Sequence, residues 1–161
     1  MTIYYVALTG NDATAVAGDR DLPWRHVSAA VDLASDTGAG NSVVILDSGV
    51  YDEPGTDILG SAITLRPHSP GFTPTLDGGH TGSYAFNNYI SGNVFQGLRF
   101  QNYTESPIQG SATAGYNFIL SGCVAEYPSP QYIGKSGGAE IQACRLLATQ
   151  DAALSIRGAT G

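Results

Sequence analysis

At 161 residues the chain is long enough for one domain with its own core. Fourteen acids against seven bases leave a net charge of −7, which repels phosphate backbones and argues against a nucleic-acid partner. No apolar run reaches the length of a membrane-spanning helix, and only 13% charged residues beside 21 glycines suit many short strands joined by tight turns.

Met1-Thr-Ile-Tyr-Tyr5 lacks the charged and apolar regions of a signal peptide. The chain is therefore expected to stay in the producing cell, or to leave it without a cleaved signal. Thr2 to Leu8 is apolar with β-branched and aromatic residues, and reads as a strand. A polar loop follows from Gly10 to Asp21. Asp12, Asp19 and Asp21 carry the oxygen chemistry of a calcium site but lack a fixed ligand spacing, so turn chemistry is the reading adopted, with no metal and no cofactor expected.

From Trp24 to Asp36 the period changes. Trp24, Val27, Ala30, Val31 and Ala34 form one apolar stripe at helical spacing. Pro23 suits a first helical turn, and Gly38 and Gly40 end the helix. One short helix ahead of a strand array is expected to cover the array's apolar end.

Strands begin at Ser42. Val43 to Leu46 is a continuous apolar run before a turn at Ser48-Gly49; Ala62 to Leu65 and Thr73 to Leu76 follow, then the turn Asp77-Gly-Gly79. Tyr84 to Phe86 leads through Ile90-Ser-Gly92 into three segments that align on Leu98, Cys123 and Cys144. Each anchor has a small residue before it (Gly97, Gly122, Ala143) and an apolar one two places after it (Phe100, Ala125, Leu146). That alternation is the period of a strand with one buried face, and anchors 25 and then 21 residues apart lie in the repeat range of a solenoid. The expected fold is an all-β solenoid, a single domain over 1–161: strand, loop and cap helix over 1–41, then about five turns of roughly 20–25 residues over 42–161. Leu98, Cys123 and Cys144 are expected to share one inward column, one strand spacing of about 4.8 Å apart. That spacing is compatible with a disulfide, but reduced, buried thiols are the expected state in a cytosolic setting.

Several stretches resemble the pectin-lyase-like proteins: Ile3-Tyr-Tyr-Val-Ala-Leu-Thr-Gly-Asn-Asp12, Pro23-Trp24 with its helix, Val43-Val-Ile-Leu46 and Ser48-Gly-Val-Tyr51. Ile63-Thr-Leu-Arg66, Pro74-Thr-Leu-Asp-Gly78 and Val94-Phe-Gln-Gly-Leu-Arg-Phe-Gln-Asn102 are similar to the next coils of that superfamily. The resemblance covers most of the chain and implies a right-handed parallel β-helix with an N-terminal strand and a capping helix. Two departures stand out. The helix begins Arg25-His26 where the family usually has a Thr or Ser cap, and the chain is far shorter than the family's enzymes.

Those enzymes act on acidic polysaccharides, and hydrolysis needs two carboxyl groups across one groove. The acids after residue 42 are scattered singly, apart from Asp52-Glu53. The motif set of polygalacturonases is missing, and Lys135 has no neighbouring acid cluster. Glu126 and Glu140 stand at different places in their turns. His26, His68 and His80 fall at the helix start and in Pro- and Gly-rich turns, and read as turn residues. No catalytic residue is assigned. Tyrosine is more informative: Tyr84, Tyr89, Tyr103, Tyr116, Tyr127 and Tyr132 gather in the middle turns, as in a protein interface or a sugar-stacking surface.

The expected role is a bacteriophage virion component, a capsid decoration or tail-spike-like protein assembled in the host cytoplasm. Its partners would be other virion proteins and copies of itself, a trimer being favoured by resemblance to phage spikes. The interface would use Tyr84, Tyr89, Tyr116, Tyr127 and Tyr132, with Leu154 and Ile156 in a last strand, Ala153 to Ile156, whose open edge another chain would cover. The alternative is a polysaccharide-binding or polysaccharide-cleaving protein, or a fragment of one.

Overall fold

Short strands taken in a fixed rotation build this chain. Its structure, a computed structural model, describes residues 1–105, 107–110, 117–127, 133–136, 138–142, 144–148 and 156–158. After β1 (Ile3–Val6) and the helix α1 (Val27–Asp36), strands β2 (Asn41–Ile45), β3 (Val50–Asp52) and β4 (Thr56–Ile58) enter three different sheets. The same order recurs in β5 (Ile63–Pro67), β6 (Thr75–Asp77) and β7 (Phe86–Asn88), and in β8 (Asn93–Gln96), β9 (Arg99–Gln101) and β10 (Ile108–Gly110). Next come β11 (Asn117–Ser121), β12 (Val124–Tyr127), β13 (Ile133–Ser136), β14 (Gly138–Gln142), β15 (Arg145–Ala148) and β16 (Ile156–Gly158).

The first sheet runs β1-β2-β5-β8-β11-β14, the second β3-β6-β9-β12-β15 and the third β4-β7-β10. Strands β13 and β16 pair with each other, and β13 lies beside β10. Every pairing among the described residues is parallel.

Register brings residues one turn apart into stacked columns. In the first sheet the partners run Tyr4, Val43, Leu65, Phe95, Leu120 and Ile141. In the second they run Tyr51, Leu76, Phe100, Ala125 and Leu146. Tyr4, Val43, Leu65, Phe95, Leu120, Tyr51, Leu76, Phe100 and Ala125 are all buried in one core. Alternation along each strand puts these side chains on one face, and parallel stacking then makes a continuous column. Aromatic rings knit the three sheets together. Phe86 stacks on Phe95 at 5.3 Å between centroids and meets Phe100 edge-on at 6.5 Å, while Phe118 meets Phe95 edge-on at 6.3 Å.

Three expectations are refined. Each segment anchored on Leu98, Cys123 or Cys144 is two strands meeting at a corner rather than one. Gly97 (φ 58°) and Gly122 (φ 62°) adopt the left-handed conformation that turns the chain between the first and second sheets. Leu98 and Cys123 follow them into the core, and Cys144 is partly buried against it. Strands β3 and β4 occupy a polar stretch with no long alternation. Trp24, read as the start of the helix stripe, precedes the helix and extends the first sheet's edge: its N–H donates to Tyr5 O at 2.8 Å, and its O accepts from Ala7 N–H at 2.9 Å. Gly10 makes this possible, since a Cβ there would lie 2.1 Å from Trp24 O.

Helix α1 buries Val27, Ala30, Val31 and Ala34 among Tyr4, Val6, Trp24, Val43 and Ile45. It packs on β1, β2, β4 and β5, and so closes the interior at the first turn.

Candidate functional site

The start of α1 has no side-chain cap of its own: His26, the N-cap residue, makes no such bond. Two carboxylates from elsewhere serve instead. Asp12 accepts from the N–H groups of Arg25 (2.7 Å) and His26 (3.1 Å), and pairs with His26 Nδ1 at 2.5 Å. Glu53, in the corner after β3, accepts from Val27 N–H at 2.5 Å and Ser28 N–H at 3.0 Å. Three orphan donors at the helix start, those of His26, Val27 and Ser28, are thereby satisfied along with the Arg25 N–H just before it, and two negative charges face the positive end of the helix dipole. Burial pushes the Glu53 carboxyl up, against the opposing pull of the Ser28 and Val27 bonds. Burial also pushes Asp12 up, but the His26 and Arg25 bonds outweigh it and hold that carboxyl below its ordinary value. Tyr103 is buried and donates its hydroxyl to Glu53 O at 3.0 Å, fixing the same corner.

At the other end of α1, Asn41 donates to Ala34 O at 3.0 Å and accepts from Thr2 N–H at 2.8 Å. One turn beyond Ile63, buried Asn93 accepts from Ile63 N–H at 2.8 Å. Outside the second sheet, Asp77 collects bonds from Gln101 (2.8 Å), Gly79 N–H (2.8 Å) and Asn102 (3.0 Å). Desolvation raises the Asp77 carboxyl, and these bonds more than offset it, leaving it below its ordinary value. All of these groups hold successive turns together.

A cleft of about 460 Å³ remains between α1 and β4, lined by Asp32, Ser35, Asp36, Gly55, Thr56, Asp57, Leu59 and Tyr84. The Tyr84 ring lies against Gly55, where a Cβ would meet Tyr84 O at 2.4 Å and the ring carbons at 3.3 Å. The Tyr84 hydroxyl donates to Asp57 at 2.9 Å, and Thr56 donates to Asp32. Ser35 Oγ accepts from Gly60 N–H (2.9 Å) and Ser61 N–H (3.1 Å), tying the far wall to the helix. Burial, and then Asp57, push the Tyr84 phenol up. The result is an aromatic face beside oriented carboxylates that retain acceptor capacity.

Of the tyrosines singled out from sequence, Tyr84 lines this cleft, while Tyr89, half-buried, accepts from Asn87 at 2.8 Å. Tyr116, Tyr132 and Leu154 lie outside the described residues; Tyr127, Glu140 and Ile156 are placed by backbone only, in β12, β14 and β16. Glu126 pairs with Arg99 across neighbouring turns. Asp19 turns back on its own loop, accepting from Asp21 N–H at 2.9 Å. Among the described residues no three His, Cys, Asp or Glu side chains are arranged to hold a metal ion. From sequence Asp57 reads as one of the scattered acids and Asp32 and Asp36 carry no signal, because the three converge only when α1 packs on β4. Comparison of the chain with family models, with curated proteins and with solved structures finds no match.

Proposed function

We propose that the chain is a right-handed parallel β-helix that serves as a rigid element of a bacteriophage virion, as a capsid decoration or tail-spike-like component. The rotation of strands through three all-parallel sheets is the observation that carries this reading. Such a stack is stiff, because every turn is hydrogen-bonded to the next on several sides and filled with stacked apolar columns. Its polar groups act within the stack: Asp12 and Glu53 hold the helix, and Asp77 holds the next turn's side chains. Function then lies in contacts through the outer faces, with copies of the chain, a trimer favoured, and with other virion proteins. Immunogold labelling of particles from the producing cells, with sedimentation equilibrium of the isolated chain, tests this. Gold on the particle and a closed oligomer are expected; a monomer missing from particles would overturn it.

Polysaccharide binding is the second reading, and the Tyr84–Asp57 pair favours it. A ring face with a fixed carboxylate beside it suits a sugar, whose apolar face stacks while its hydroxyls donate. Glycan-array binding that disappears in Tyr84→Ala and persists in Tyr89→Ala would establish this role.

A further inference from the structure

We propose that Cys123 and Cys144 form a dithiol pair that closes into a disulfide across two successive turns when the surroundings become oxidising. The inference stands on register and is independent of the assembly role. Ser121 pairs with Gln142 on one side of the corner and Val124 with Arg145 on the other. This places Cys123 and Cys144 at matching positions, one strand spacing apart, about 4.8 Å. Disulfides bridge Cα atoms separated by about 4.4–6.8 Å. Both side chains pack against the same core: Cys123 is buried within it and Cys144 is partly buried against it. Cys144 is among the groups that, after burial, push the Cys123 thiol up. Both cysteines stand at the corner between the first and second ladders, where register matches them across successive turns.

The oxidant is a small disulfide such as oxidised glutathione. The Cys144 thiol, the less buried of the two, loses its proton to solvent, and its sulfur attacks one sulfur of the reagent. The reagent's S–S bond breaks, and one glutathione leaves as thiolate and takes up a proton. Cys123 then loses its own proton and attacks the Cys144 sulfur of the mixed disulfide, expelling the second glutathione. The two cysteines lose two electrons and two protons, and one reagent disulfide becomes two thiols. Burial pushes the Cys123 thiol up to about 12, and its Sγ donates to Phe95 O at 3.5 Å. The second step is therefore slow at neutral pH and accelerates as pH rises. A reducing cytosol keeps the pair open, and an oxidising exterior closes it.

The test treats the full chain with a series of oxidised-to-reduced glutathione ratios at mildly alkaline pH, followed by thiol alkylation, intact mass and peptide mapping. The expected product is a single covalent chain two hydrogens lighter, with residues 123 and 144 cross-linked within it. Its melting temperature should rise, and it should form at a lower ratio in buffer than in concentrated urea. Cys123→Ala, which keeps a small apolar corner, should instead accumulate the stable glutathione adduct at Cys144. Two alkylated thiols at every ratio, only glutathione adducts on the unmutated chain, or a cross-link that joins two chains would each overturn the proposal.

Discussion

Glu53 holds the first turn of α1 from outside the helix, its carboxylate accepting the Val27 N–H at 2.5 Å. The carboxylate belongs to the corner after β3, so the cap exists only when the first turn of strands has closed beneath the helix. Glu53 is 2% exposed, which makes the bond hard for water to replace.

Glu53→Ala leaves the Val27 and Ser28 N–H groups without their acceptor and should lower stability by about 3 kcal/mol. Glu53→Gln keeps one acceptor without the buried charge and should lower it by about 1 kcal/mol or less. Urea unfolding of the two variants measures the difference. Equal losses would mean that the backbone N–H bonds carry little of the cap.

The same carboxylate sets part of the pH dependence. Its folded pKa is raised above 4.5, so its favourable contribution is complete in acid and is lost as pH rises through the folded value. Asp12 and Asp77 run the other way. Their folded pKa values lie below 3.8, so their contribution is present above 3.8 and is lost as pH falls through the folded values. Melting temperatures across the acid range should show Glu53→Gln flattening the slope above 4.5, and Asp77→Asn flattening the acid loss below 3.8. A Glu53→Gln profile parallel to that of the unmutated chain would contradict the assignment.

Glycine substitutions separate close approach from backbone conformation. At Gly10 a Cβ would fall 2.1 Å from Trp24 O, backbone that cannot swing aside. At Gly97 the nearest atom is Pro67 Cγ at 3.1 Å, and the left-handed φ of 58° is the main obstacle. Gly97→Ala should therefore lose about 1–2 kcal/mol, and Gly10→Ala distinctly more, detaching Trp24 from the sheet edge. Chemical denaturation ranks them, and Trp24 fluorescence should shift only in the Gly10 variant.

Core columns predict a third class of effect. Phe95→Ala removes a fully buried ring between Phe86 and Phe118 and should lose about 3–5 kcal/mol. Cys123→Asp places an unpaired charge in the same interior and should abolish cooperative melting. A soluble Cys123→Asp variant with a sharp thermal transition would show that position 123 does not face the core.

Local periodicity determined much of this molecule. The stripe of Val27, Ala30, Val31 and Ala34 is helical by spacing, and those four residues are the helix's apolar burial. The intervals between Leu98, Cys123 and Cys144 match the register steps from Val94 to Ile119 and from Ile119 to Glu140, because stacking like on like is what makes a column apolar. Short strands such as β3 and β4 carry too few residues for alternation to register, and only their parallel partners one turn away define them. The long-range polar ties were equally hidden. Asp12 and Glu53 read as loop acids, since nothing within a helical turn of either reveals that each faces the start of α1. The cleft required the tertiary structure for the same reason. Asp32 on α1, Asp57 on β4 and Tyr84 before β7 lie far apart in sequence, and they meet because α1 must cover the apolar first turn. Side-chain pattern decides what is buried; the stacking of turns decides which distant polar groups become neighbours.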